Sequence, residues 1–194
     1  MLTSEPSTGR TPAILVIDGH DGAGKTSVAQ RLDPVYGRYV KPFSGTLGDH
    51  IAWLASKQRW AEVDTTARAA VEFILERHAE AERLIFDRHW LSMFTLLPEE
   101  HRVAWYPVPH TVLCWTNLDT TLHRLDRRGE AIGDVGKHRH YIEAYAALAA
   151  RYRVPVVDTT ELTPEEGAAE VVRLAGLSPV LEEARSYPLY DQPV

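Results

Sequence analysis

The chain has 194 residues, 44% hydrophobic and 25% charged, the mixture of one globular domain; this excludes a disordered chain, a collagen-like fibre and a disulfide-stapled miniprotein. Its 27 acidic side chains outnumber 21 basic ones for a net charge of −6, the wrong balance for gripping a nucleic acid polymer through its phosphates. Cys114 stands alone, no apolar run reaches membrane-spanning length and the amino-terminal residues lack a signal segment, so a soluble cytoplasmic protein with no membrane partner is expected.

Residues 1–12, rich in Ser, Thr, Pro and Gly, read as a flexible arm. Ala13 to Ile17 is a short, continuously apolar run, the pattern of a strand buried on both faces, and Asp18-Gly19 closes it. A helical pattern runs from Lys25 to about Leu32, followed by a weaker strand from Tyr36 to Val40 that ends before Pro42. Thr65 to Arg83 aligns Ala67, Val71, Ile74, Leu75 and His78 on one helical face. Leu84 to Phe86 is a third strand, ending in Asp87; Thr111 to Trp115 is a fourth, followed by a helix from about Asp119 to Arg128. Ile142, Tyr145, Ala149 and Tyr152 recur at helical spacing, and Val154 to Val157 is a fifth strand whose Pro155 suits a sheet edge. Thr163-Pro164-Glu165-Glu166 is a capping box with Pro at the first helical position, and residues 177–194, with three prolines, read as an extended tail. Strands alternating with helices predict a parallel sheet covered on both faces, with ligands at the strands' carboxyl ends. Asp18, Asp87 and the loop after Gly19 all fall there.

That loop, Gly19-His20-Asp21-Gly22-Ala23-Gly24-Lys25-Thr26, fits G-x-x-x-x-G-K-[ST] in full. Glycines let successive N–H groups converge on phosphate oxygens at the positive end of the following helix. Gly19, Gly22, Ala23, Gly24, Lys25, Thr26 and Ser27 are therefore the candidate nucleotide contacts, with Lys25 reaching the β- and γ-phosphates and the Thr26 hydroxyl on Mg²⁺. Asp87-Arg88 adds a carboxylate for the metal and a guanidinium for the charge of phosphoryl transfer, so ATP and Mg²⁺ are expected. The stretch from His123 to His140 carries Arg124, Arg127, Arg128, Lys137 and Arg139 between Gly129, Gly133 and Gly136, a composition that suits a lid over about 129–140. Arg124 and Arg128, four apart, share a helix face. Phe73 reads either as core or as a stacking platform, and Trp90 either as core or as a wall of the acceptor pocket.

Taken together, Ile17 to Thr26, Gly45-Thr46-Leu47-Gly48, Phe73 to Arg77, Asp87-Arg88-His89 with Ser92, and Arg124 to Gly129 resemble the thymidylate kinases of the nucleoside monophosphate kinase group, over residues 13–176. The resemblance implies an α/β P-loop three-layer sandwich: a five-stranded parallel sheet with helices on both faces and a lid segment, in a homodimer. It also implies roles. Asp21 meets the acceptor sugar's 3′-hydroxyl, Phe73 stacks on the base, and Arg77 holds the base edge or acceptor phosphate. Arg88 binds the acceptor phosphate, Asp87 lies beside the metal, and Asp158-Thr159-Thr160 brackets adenine. Gly22 replaces an arginine that some members keep, which shifts the catalytic arginine to the lid, to Arg124 and Arg128. Lys41-Pro42-Phe43 stands where the family has Arg-Glu-Pro, leaving Lys41 for the acceptor phosphate, and Thr95-Leu96-Leu97 replaces Ala-Tyr-Gln. The expected activity is ATP- and Mg²⁺-dependent phosphorylation of a thymidylate-like nucleoside monophosphate. The alternative is a nucleoside kinase acting on the 5′-hydroxyl with Asp87 as general base. A nucleotide switch is the third reading, and no guanine-reading Asn-Lys-x-Asp sequence supports it.

Overall fold

Ala13–Asp18 forms β1, the centre of the sheet, and its alternation sorts the whole molecule into two hydrophobic layers. The computed structural model describes residues 11–180; the predicted arm over 1–12 lies outside the described residues up to residue 10, and the tail over 177–194 from residue 181 on. Among these, β1, β2 (Arg38–Val40), β3 (Arg83–Asp87), β4 (His110–Trp115) and β5 (Val156–Asp158) make one parallel sheet in the order β2-β3-β1-β4-β5. The edge position of β5 agrees with Pro155, which lies just before it.

Leu15 and Ile17 face one layer with Ile85, Val112, Cys114 and Val157. There they are covered by α1 (Lys25–Leu32) and α7 (Pro164–Ala175). Val16, Leu84, Phe86 and Leu113 face the opposite layer, under α2 (Gly45–Ser56), α3 (Trp60–Arg77), α4 (Trp90–Leu96) and α6 (Val135–Tyr152). α5 (Leu118–Arg127) follows β4 and packs through Thr121 against the loop after β1. Among the described residues, no helix is long and apolar enough to cross a membrane.

Several boundaries differ from expectation. The helix predicted over Thr65 to Arg83 is α3, Trp60–Arg77; His78 caps it, and Arg83 opens β3. α2 and α4 are additional: α2 begins with two glycines among polar residues, and α4 buries five of its seven residues, so neither shows a clean apolar stripe. Of the range 129–140 expected as a lid, only residues up to Asp134 are loop, because α6 starts at Val135 with Asp134 as its N-cap, accepting from Gly136 N at 2.8 Å. The capping box opens α7 as expected, with Thr163 Oγ1 accepting from Glu166 N at 3.2 Å and Thr163 N donating to Glu166 Oε2 at 2.9 Å.

Candidate active site

The loop between β1 and α1 has its shape set by three glycines with positive φ, Gly19, Gly22 and Gly24. At Gly19 (φ 146°) a Cβ would lie 2.2 Å from the Cys114 carbonyl oxygen, so the loop turns directly against the end of β4. Gly22 (φ 80°) packs on Thr121 of α5, where a Cβ would sit 3.0 Å from the Thr121 methyl. An arginine therefore has no room at that position. His20 is buried beneath the loop: its Nδ1 donates to Asp21 O at 2.8 Å and its Nε2 accepts from Thr116 N at 3.4 Å. Burial pushes the ring down to about 4, keeping it neutral for these two bonds. Lys25 Nζ donates to His20 O at 2.7 Å. Burial, reinforced by the Arg88 charge, lowers the lysine to about 8 against the pull of Asp87, Asp21 and Asp18. The first residue of α1 is thus a desolvated cation held against the loop's own backbone. Ser27 is exposed on the first turn of α1.

Asp87 ends β3 with no solvent exposure. Its Oδ2 accepts from Thr26 Oγ1 at 2.5 Å and from Tyr39 OH at 3.2 Å, with Lys41 Nζ at 3.7 Å. Burial and the neighbouring carboxylate push the Tyr39 phenol up to about 12. Asp87 Oδ1 has no hydrogen-bond partner among the described residues. A buried carboxylate oxygen left open beside a threonine hydroxyl and the phosphate loop fits a hard divalent cation, which takes one or two protein oxygens and completes its shell with phosphate and water. Thr26 and Asp87 would hold Mg²⁺, which when bound neutralises phosphate charge.

Arg88, at φ 77°, turns its guanidinium towards the loop. It forms an ion pair with Asp21, whose side chain is 65% exposed. Burial alone would raise the Asp21 carboxyl, but Arg88 and Lys25 outweigh it and hold the group below the usual carboxylate range. Burial alone would lower Arg88, and Tyr145 with the surrounding carboxylates raises it instead.

Between the loop, α2, α4 and α6 lies a cavity of about 310 Å³. His20, Asp21 and Arg88 line one part of it, Ser92 and Tyr145 the floor, and Lys137 and Tyr141 of α6 a side. Phe43, Asp49 and Thr95 also line it. Four sequence-predicted acceptor residues lie elsewhere. Phe73 is 60% exposed on the outer face of α3, and Arg77 follows one turn later on the same face. α3 turns Val63, Ala67 and Val71 inward instead. Trp90 is 1% exposed, donates Nε1 to Thr111 Oγ1 at 2.7 Å and belongs to the core. Lys41 stays with Asp87 and lines no part of the cavity.

The two basic residues of α5 diverge. Arg124 Nη1 donates to Gly22 O at 3.1 Å and to Thr159 Oγ1 at 3.1 Å, and its Nη2 donates to Thr159 O at 2.5 Å. It clamps the phosphate loop to the segment after β5. Arg128 forms a surface pair with Glu130 at 2.9 Å. Sequence reasoning missed Tyr39 and Tyr145 and marked Asp18 only as the end of a strand; Tyr145 showed only as one member of an apolar helical repeat.

No family model and no curated protein sequence matches the chain. Among solved structures it is similar to a deoxyadenosine kinase from M. mycoides with bound dATP, with a TM-score of 0.61 and 16% identity over 84% of this chain and 99% of that one. It is also similar to a deoxyadenosine kinase from M. mycoides with bound dCTP, at a TM-score of 0.50 and 15% identity over 84% and 98% of the two chains. The fold is that of the P-loop kinases. At 15–16% identity the likeness is one of fold, and it does not point to the thymidylate kinases in particular.

Proposed function

We propose that the protein transfers a phosphoryl group from ATP to a hydroxyl of a nucleoside bound in the 310 Å³ cavity. The observation that carries this is the Asp21–Arg88 pair at the cavity's phosphate-loop side. A phosphate acceptor needs several uncommitted cations; here Arg77 and Lys41 stay away and Arg88 is already balanced by a carboxylate. A hydroxyl acceptor needs an ionised base within reach, and Asp21 is exposed and held ionised. In this reading the acceptor oxygen bonds to the γ-phosphorus, ADP leaves, and the hydroxyl proton passes to Asp21. Asp87, fully buried and bonded to Thr26 and Tyr39, serves the metal and not the acceptor. The lysine and arginines supply the fixed charge on which phosphoryl transfer chiefly depends. The likeness to deoxyadenosine kinases agrees with a nucleoside acceptor.

A monophosphate acceptor is the second reading, favoured by Lys137 and His138 on the cavity wall. ADP formation from ATP and Mg²⁺, measured over a panel of nucleosides and their 5′-monophosphates, separates the two. Stimulation by at least one nucleoside is expected, reduced roughly 100-fold by Asp21→Asn. Stimulation by monophosphates alone would overturn the hydroxyl reading.

A further inference from the structure

Tyr145 and Ser92 line the cavity, and both touch Arg88. Arg88 adopts φ 77°, a region that residues with a Cβ avoid, so its surroundings must hold it there. Arg88 N donates to Ile17 O at 3.1 Å, and the next turns are tied to β1 by His89 N and Ser92 N, each donating to Asp18 Oδ2 at 3.0 Å. Asp18 is fully buried, and its Oδ1 accepts from Gly19 N at 2.9 Å and from Ser92 Oγ at 2.6 Å.

These bonds have a direction. A carboxylate only accepts, so the Ser92 hydroxyl proton is committed to Asp18. The 2.7 Å contact between Ser92 Oγ and Tyr145 OH must then carry the tyrosine's proton to the serine. Tyr145 is left with lone pairs, and Arg88 Nη1 donates to its oxygen at 3.3 Å. Nη1 also lies 3.4 Å from Ser92 Oγ and 3.5 Å from Gly19 O. One half of the guanidinium is thereby engaged inward, and Nη2 is left for Asp21 at the cavity. A tyrosine merely filling space would need no such order; its hydroxyl, in a side chain 2% exposed, is the atom that meets Arg88.

We infer that Tyr145, Ser92 and Asp18 form a hydroxyl relay from α6 to the end of β1 that positions Arg88, fixing Nη1 so that Nη2 faces the acceptor. Because Arg88 matters as a lining residue of the acceptor cavity proposed above, the test has a kinetic arm and an arm that needs no acceptor. In the first, kcat/KM for the best acceptor of the panel is measured for the native protein, Tyr145→Phe, Arg88→Lys and the double variant. Tyr145→Phe should lower kcat/KM about tenfold with the KM for ATP unchanged, and cost less than twofold in the Arg88→Lys background, since coupled residues do not add. Equal losses in both backgrounds would overturn the relay. In the second, the Arg88 guanidinium NMR signals, identified by their disappearance in Arg88→Lys, should shift in Tyr145→Phe. Ser92→Ala breaks the same link from α4 and should reproduce the shift even where Tyr145→Phe fails to fold. Unmoved signals would overturn the relay, whereas shifted signals with a silent acceptor panel would count against the acceptor reading alone.

Discussion

His89 is the side chain whose burial should be felt most directly in stability. It is 6% exposed, sits edge-on to the Phe86 and Trp105 rings at 5.2 and 5.4 Å, and neither ring nitrogen has a hydrogen-bond partner among the described residues. Burial pushes it down from 6.5 to about 3. Above pH 6.5 the ring is neutral in folded and unfolded chains alike, and it leaves stability independent of pH. Between 6.5 and 3 the unfolded chain takes up a proton that the folded one refuses, so stability falls by about 1.4 kcal/mol per pH unit, or about 2.7 kcal/mol by pH 4.5. His89→Phe keeps an aromatic ring in the slot and removes the titration without breaking a hydrogen bond. Denaturant unfolding at pH 7.5 and 4.5 should show the native protein losing about 2–3 kcal/mol more than the variant over that interval. His20, lowered to about 4, adds acid sensitivity of its own, but it is present in both proteins and cancels in the difference. Equal losses for the two proteins would refute the view that His89 stays neutral in the fold.

Lys25→Ala should abolish phosphoryl transfer while thermal unfolding remains at or above the native midpoint, because it removes a buried cation aimed at phosphate and not a packing group. With Lys25 lowered to about 8, ATP affinity should weaken as the pH rises through that value, read by titration calorimetry at pH 7, 8 and 9; a flat profile would contradict the charge assignment. Gly19→Ala places a Cβ 2.2 Å from the Cys114 carbonyl at φ 146°, so nucleotide binding should be lost and stability lowered by at least about 2 kcal/mol in a melting experiment. Arg124→Ala, which frees the phosphate loop from the segment after β5, should cut kcat/KM for ATP about tenfold or more, whereas Arg128→Ala, from an exposed pair, should stay within about twofold. Comparable losses in steady-state assays would return Arg128 to the active site.

Local chemistry made much of this protein legible in its sequence. The phosphate loop is read by spacing because its function uses backbone N–H groups, and their placement depends on glycines and a following helix within eight residues. The middles of β1, β3 and β4 are continuously apolar because a parallel strand is buried on both faces, and Asp18 and Asp87 announce the ends of β1 and β3. The α7 capping box likewise needs only four neighbouring residues. The acceptor side did not follow from such rules. The four-residue spacing of Phe73 and Arg77 correctly placed them on one face of α3, but spacing cannot say which face meets the sheet. Val63, Ala67 and Val71 take that place, and Phe73, two residues and about 200° beyond Val71, is turned to solvent. The cavity is assembled from four segments far apart in the chain, and the relay from Asp18 through Ser92 to Tyr145 spans 74 and 53 positions. No local pattern encodes such contacts, since they exist only once α4 and α6 pack over the same end of β1.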